Sequence, residues 1–146
     1  MLIRPFEPHQ AQELVALWRA SFEHGVGIRD DHPIEEQLAY FVEQVLPHNF
    51  VRVVIDGSEL VAFMATTPES VSQLYVRIAN IGQGIGGRLL ALAKAESTGS
   101  LWLYTFAQNH NARRFYERKG FREVERESQN MYKLEAIKYV WRRGDA

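Results

Sequence analysis

Gly82-Gln83-Gly84-Ile85-Gly86-Gly87-Arg88-Leu89-Leu90 follows a strand-like run from Val71 to Val76 and leads into helical spacing over about 86 to 97. Four glycines ahead of a helix have a physical use. Without side chains they let a ligand reach the backbone N–H groups that the first helical turn leaves unpaired. Those groups converge on phosphate oxygens, and the helix dipole adds to the attraction. A Walker loop would place lysine and then serine or threonine after its glycines, whereas Gly87 is followed by Arg88 and Leu89. A dinucleotide fingerprint belongs to a βαβ unit with an acidic residue about 20 residues further on, but this segment comes late in the chain. Taken alone, the segment is either an anion cradle or a plain flexible turn.

The next stretch separates these readings. Leu101-Trp102-Leu103-Tyr104-Thr105-Phe106 reads as a continuous apolar strand suited to a buried central position, and Ser97-Thr98-Gly99-Ser100 breaks the helix before it. Asn109 stands where a helix over about 110 to 119 would be capped, and Gly120 is placed to end it. Ala112, Phe115, Tyr116 and Lys119 fall near one face of that helix. Two glycine- or asparagine-marked junctions from strand to helix therefore lie one crossover apart. Ligands of open α/β sheets bind at the carboxyl ends of such strands.

The flanking chain supplies the remaining sheet. Met1 to Pro5 reads as an edge strand, and residues 9 to 22 carry Ala11, Leu14, Leu17, Trp18 and Phe22 at helical spacing. A loop over 23 to 33 precedes a second helix over 34 to 46, stopped by Pro47. Phe50 to Ile55 and Leu60 to Thr67 form a hairpin across Asp56-Gly57, and Phe121 to Glu127 and Met131 to Val140 close the fold. The expected class is α/β (mixed α+β), with a single central mixed β-sheet flanked by helices in one domain over 1–146.

Composition narrows function by exclusion. A chain of 146 residues suits one domain. It contains no cysteine, which removes disulfides, thiolate metal sites and a cysteine nucleophile. Its 17 Lys+Arg stand against 18 Asp+Glu, so no nucleic-acid footprint or polybasic membrane surface is expected. No apolar run approaches a bilayer span and the amino terminus does not read as a secretory signal, so a cytoplasmic protein is the expectation. The five histidines show no ligand spacing, and no metal is expected.

Leu74-Tyr75-Val76 with the glycine segment, and Asn109 with Ala112, Phe115, Tyr116, Gly120 and Phe121, resemble the two motifs of the GCN5-related N-acetyltransferase (GNAT) superfamily. The specific resemblance covers 74 to 121. Ile81 stands where the family pattern usually carries glutamine or arginine, three residues before the Gly84-Ile85-Gly86 triplet, and Ile78 often corresponds to proline. The resemblance implies a GNAT-like acyl-CoA acyltransferase fold in which the strands 71 to 76 and 101 to 106 are parallel neighbours that splay apart. Acetyl-CoA or coenzyme A would lie in the opening, its arm pairing with backbone at Leu74, Tyr75 and Val76. Its pyrophosphate would meet N–H groups of Gly82, Gln83, Gly84, Ile85, Gly86 and Gly87. Arg88 and Arg113 are candidates for the outer phosphates, with Asn109 and Ala112 beside the arm and Tyr116 pointing to the sulfur.

The implied reaction is N-acetyl transfer to a primary amine of a small molecule or peptide by direct attack in a ternary complex. An alkylammonium has an ordinary pKa of about 10.4, so a base must free the amine or the site must capture its neutral form. Backbone N–H at Val76 is the candidate oxyanion donor, and Tyr116 the candidate acid toward a thiolate of ordinary pKa about 8.5. Glu69, Glu59, His24, His32 and Glu127 are candidate bases, while Gln73 could only orient a substrate or a water. Residues 18 to 33 and 126 to 132 are expected to choose the acceptor. The alternative is a noncatalytic acyl-CoA-sensing or interaction domain on the same fold. A homodimer is expected through the closing strands, covering Trp141.

Overall fold

The hydrophobic spacing of the amino-terminal half becomes two helices on one side of a sheet. The computed structural model describes residues 1–144. β1 (Leu2–Pro5) leads through a short 3-10 turn to α1 (Ala11–Val26), which buries Leu14, Val15, Leu17, Trp18, Phe22 and Val26. α1 runs a turn beyond the expected Phe22, and Gly27 ends it by adopting φ 80°, which a side chain would resist. α2 (Ile34–Tyr40) continues through a π turn, Phe41–Val45, into a last helical turn, Leu46–His48. Pro47 therefore lies inside the helix rather than stopping it. The π turn just before it loosens the backbone where a proline ring would otherwise press on the preceding turn.

β2 (Phe50–Asp56), β3 (Glu59–Thr66) and β4 (Val71–Val76) follow as an antiparallel meander, and Gly57 turns the first hairpin at φ 65°. The glycine segment leads into α3 (Ile85–Glu96), then β5 (Ser100–Phe106), α4 (His110–Arg118), β6 (Arg122–Glu127) and β7 (Ala136–Arg142). The strands form two antiparallel blades, ordered β1-β2-β3-β4 and β5-β7-β6. The blades meet in parallel at Ser70 and Trp102, where the Trp102 N–H donates to the Glu69 carbonyl at 3.0 Å, and they splay beyond that bridge. This is the expected mixed, splayed sheet flanked by helices.

Two core clusters occupy its faces. Leu89, Leu90 and Ala93 of α3 pack with Met64, Leu101, Leu103, Ile137 and Tyr139, while α1 and α2 pack with Val51, Val53, Leu60 and Phe63. β3 is the doubly covered central strand, buried from Leu60 to Thr66. β5 corrects the sequence expectation of a buried centre. Only Leu101 and Leu103 are buried, while Trp102 and Tyr104 remain 41% and 43% exposed, because β5 borders the splay and α1 covers that face at Phe106 but not at Trp102 and Tyr104. The final strand starts at Ala136 rather than Met131, since Asn130 side-chain bonds to Tyr132 N–H and the Leu134 carbonyl hold that stretch as a loop. Trp141 is half-buried, with the Lys94 ammonium 5.1 Å from its ring centroid.

Candidate active site

The splay leaves a row of backbone polar groups without strand partners. Val76 is registered with Ala62 and Leu74 with Met64, and the Arg77 N–H donates to the Val61 carbonyl at 2.7 Å. Antiparallel pairs alternate between bonded and non-bonded, so 61 with 77 and 63 with 75 are the bonded pairs. The N–H and C=O of Leu74 and Val76 therefore point away from β3, toward β5. The Val76 carbonyl accepts from the Ser21 hydroxyl of α1 at 2.8 Å, which leaves its N–H for the cleft. A narrow cleft runs between the strands, walled by Leu74, Tyr75, Leu103, Phe106, Asn109 and Tyr116 among others.

At the carboxyl end of β4 the glycines do what their residue type allows. Gly82 and Gly84 hold φ 88° and 81°, and a Cβ built at either meets no atom within 4 Å. Gly84 is the N-cap of α3 and offers no side chain, so the first-turn N–H groups of Ile85, Gly86 and Gly87 have no cap, and Arg88 N–H makes the first intrahelical bond to Gly84 at 3.1 Å. The Ile85 side chain is buried in the core and offers only its backbone. Gly86 has a packing reason as well, since a Cβ there would stand 3.3 Å from the Phe115 ring and 3.8 Å from Val76. One contribution to this turn had no sequence motif to reveal it. Buried Asn80 receives the Arg77 guanidinium at 2.7 Å and donates to the Gln83 side chain at 3.2 Å, pinning the loop from below while leaving the Gln83 backbone exposed.

Across the cleft, Asn109 caps α4 by accepting from Ala112 N–H at 3.2 Å. That uses its oxygen and leaves the amide nitrogen, which would stand 2.7 Å from a Cβ on Gly25. Gly25 thus lets α1 approach the head of β5, where Gln108 also donates to the Val26 carbonyl at 2.6 Å. Ala112 is half-buried beside Asn109 and lines the cleft.

Tyr116 is buried against Phe115, Phe121 and Tyr139 while its residue lines the cleft, and no described protein group hydrogen-bonds its hydroxyl. Burial, with a smaller contribution from nearby Tyr75, pushes the phenol well above its ordinary value of 10.0, so it holds its proton at neutral pH. Tyr75 turns the other way, stacked 5.9 Å from Phe63 and beside Trp18, and burial pushes it up to about 12. Its side chain packs against the α1 core while the residue also forms part of the cleft wall.

The two arginines expected at the outer phosphates separate. Arg113 donates to the Tyr139 hydroxyl at 3.3 Å and the Ala107 carbonyl at 3.2 Å, with Glu123 at 4.0 Å, and is committed to the sheet. Arg88 is exposed and makes no ion pair among the described residues. Lys119 was not predicted there, yet its ammonium lies 3.2 Å from a Cβ position on Gly87, beside the first turn of α3. The helix-face spacing of Lys119 with Phe115 and Tyr116 was the available signal.

Among the described residues, no carboxylate, imidazole or ammonium lines the cleft. Glu59 pairs with Arg77 at 2.7 Å, while Glu69, His24 and Glu127 are exposed. Gln73 is half-buried in the cleft wall. His32 is different, because its Nδ1 lies 2.6 Å from Asp30, whose side chain is 3% exposed. Asp30 also accepts from His32 N–H at 3.0 Å and from the Tyr132 hydroxyl at 2.9 Å, with Arg19 at 3.6 Å. Burial alone would raise the Asp30 carboxyl, but the His32 backbone and ring, Tyr132 and Arg19 together outweigh it and hold the group below its ordinary 3.8.

The acetyltransferase (GNAT) domain model matches residues 47–123, a little over half of the chain, including both strands that wall the cleft. The fold superposes on the apo form of YjaB from Escherichia coli, with TM-score 0.80 and 22% identity over 99% of this chain and 98% of that one. It superposes on PaiA N-acetyltransferase from Thermoplasma acidophilum, solved in complex with coenzyme A, with TM-score 0.73 and 18% identity over 97% and 98% of the two chains. A ribosomal-protein-alanine N-acetyltransferase from Brucella melitensis aligns with TM-score 0.72 and 17% identity over 97% and 99%. No curated protein matches the chain in sequence.

Proposed function

Because the chain belongs to the GNAT acetyltransferase family, we propose that it transfers an acetyl group from acetyl-CoA to a primary amine by direct attack in a ternary complex. The carrying observation is the alignment of three things along one cleft. Outward-facing backbone at Leu74, with the Val76 N–H, leads from the uncapped glycine turn of α3 to the Tyr116 phenol. The arm of acetyl-CoA carries amides that match the free edge of β4, and its pyrophosphate matches the N–H groups of residues 82 to 87. Asn109 bonds the arm through its amide nitrogen in this reading. Val76 N–H is held where negative charge develops on the thioester oxygen, and it needs no reorganisation to act there. Tyr116 donates to the leaving sulfur. The burial that raises the phenol also makes the nearby thiolate more basic, so the two groups remain matched as donor and acceptor.

Arg88 and Lys119 take the outer phosphates in this reading, and Arg113 does not. Arg88→Gln and Lys119→Gln should each weaken acetyl-CoA about 3- to 10-fold in calorimetric titration, with a smaller loss toward dephospho-CoA for the residue that meets the 3′-phosphate. Arg113→Gln should instead lower the unfolding midpoint with affinity nearly unchanged. An Arg113→Gln variant that loses acetyl-CoA at full stability would reverse that assignment.

Titration of the protein with acetyl-CoA, ATP and NAD tests the ligand class, and thiol release with amines tests the transfer. NAD binding that acetyl-CoA does not displace would sink the proposal. The cleft's lack of an ionisable base favours one second reading, a noncatalytic acyl-CoA sensor. Tight coenzyme A binding with no turnover across a broad amine panel would support it. No helix among the described residues is long and apolar enough to cross a membrane, and a cytoplasmic homodimer completes the proposal. Strand β6 is exposed along its whole length and is the edge available for a second copy; light scattering reads the mass directly.

A further inference from the structure

We infer that His32, oriented by Asp30, is the general base that frees the acceptor amine at the mouth of the cleft, an inference that rests on the acetyltransferase reading. Acyl transfer to an alkylammonium needs a proton acceptor, and among the described residues the cleft walls carry no carboxylate or imidazole. His32 sits just outside them. Phe106 ends β5 in the cleft wall, the Tyr132 ring packs 5.8 Å from Phe106 and 4.9 Å from Phe22, and the His32 ring meets Tyr132 edge-on at 5.7 Å. The imidazole thus stands one aromatic layer from the cleft, on the segment between α1 and α2.

Its orientation is built rather than incidental. The Nδ1 contact of 2.6 Å to a carboxylate only 3% exposed makes Nδ1 the donor and leaves the lone pair on Nε2, while the His32 side chain is 42% exposed and open to an incoming group. Every group packed around it holds this pose. From α1, Arg19 donates to the His32 carbonyl at 2.8 Å and the Asp30 carbonyl at 3.1 Å, and Glu23 accepts the Asp30 N–H at 2.7 Å. From α2, Gln37 accepts from Arg19 at 2.8 Å, and from the loop before β7 Tyr132 donates to the second Asp30 oxygen. Arg19 Nε lies 3.6 Å from the second Asp30 oxygen and helps fix the carboxylate that orients the ring. A base oriented by a buried carboxylate follows the same logic as the histidine of a hydrolase triad.

The protons balance. One N–H bond of the ammonium breaks as its proton passes to Nε2, directly or through one water. The freed lone pair forms the C–N bond while the C–S bond breaks. Tyr116 protonates the sulfur and regains a proton from the nitrogen that becomes the amide. The imidazolium then releases its proton to solvent.

His32→Asn separates this role from a structural one, because the asparagine amide can occupy the Nδ1 position, donate to Asp30 and keep the loop in place, yet offers no base. With spermidine, L-lysine, kanamycin and a short peptide as acceptor probes, turnover at neutral pH should fall about 100-fold or more. The acid limb of the kcat/KM profile should be replaced by a steady rise with pH, while acetyl-CoA affinity and unfolding midpoint stay within about twofold and two degrees of the unaltered protein. Nitrogen-15 spectra of the acetyl-CoA complex should show neutral His32 protonated at Nδ1. Turnover within about threefold of the unaltered protein with its pH profile intact, or the Nε2-protonated tautomer, overturns the base role. So does an unaltered protein that binds acetyl-CoA but acetylates no probe. Failure to bind acetyl-CoA at all defeats the acetyltransferase reading instead.

Discussion

Replacing Tyr116 by phenylalanine should lower kcat about 100-fold while acetyl-CoA affinity changes by less than about threefold. The reason is the asymmetry of that side chain. Its ring packs against Phe115, Phe121 and Tyr139 at centroid distances of 5.1, 5.7 and 6.4 Å, and phenylalanine preserves all three contacts. Only the hydroxyl is lost, and no described protein group bonds it, so its removal leaves no stranded partner in the protein. Stability should therefore change little, and the cost falls on protonation of the departing sulfur. Pre-steady-state measurement would locate the loss in the chemical step. Turnover equal to the unaltered protein would remove Tyr116 from the mechanism.

The glycine turn gives the second large effect. Gly84→Val should raise the acetyl-CoA dissociation constant at least about tenfold, or about 1.4 kcal/mol. Gly84 holds φ 81°, a conformation that costs an L residue about 1–2 kcal/mol and a β-branched one more. The added side chain also projects where a Cβ meets no protein atom within 4 Å, the space that the proposed pyrophosphate would occupy. The fold tolerates the bulk but the ligand does not. Gly86→Val makes the control, because there the Cβ would press on Phe115 at 3.3 Å and the damage should appear first as lost stability. An unchanged dissociation constant for Gly84→Val in a folded protein would show that the anion lies elsewhere.

The parts of the site made from backbone were legible in the residues, since Gly82, Gly84 and Asn109 are types chosen for a local conformation. Their neighbours along the chain were enough to define them. Side-chain partnerships across the chain were not legible in the same way. Arg113 lies on α4 and Lys119 caps its end, yet Tyr139 and Glu123 from the strands decide that Arg113 is committed, and Gly87 of α3 decides that Lys119 faces the glycine turn. The Asp30 network joins residues 102 apart in sequence, a separation that no local pattern encodes. β5 misled for a related reason. Leu101 to Phe106 has the composition of a doubly covered strand, but burial depends on what the rest of the chain places on each face, and here one face of Trp102 and Tyr104 is left open.

α1 holds both blades near the mouth, bonding β4 through Ser21 and Val76 and the head of β5 through Val26 and Gln108. Among the described residues, the sheet itself joins the blades at Ser70 and Trp102, at the far end. The pair of blades is thus a clothes-peg with its pivot at one end and a brace at the other. The gap at the mouth depends on the seating of α1 as well as on the α3 core packed against both blades, so moving the Ser21 and Val26 contacts of α1 should retune the aperture without altering a residue of either jaw.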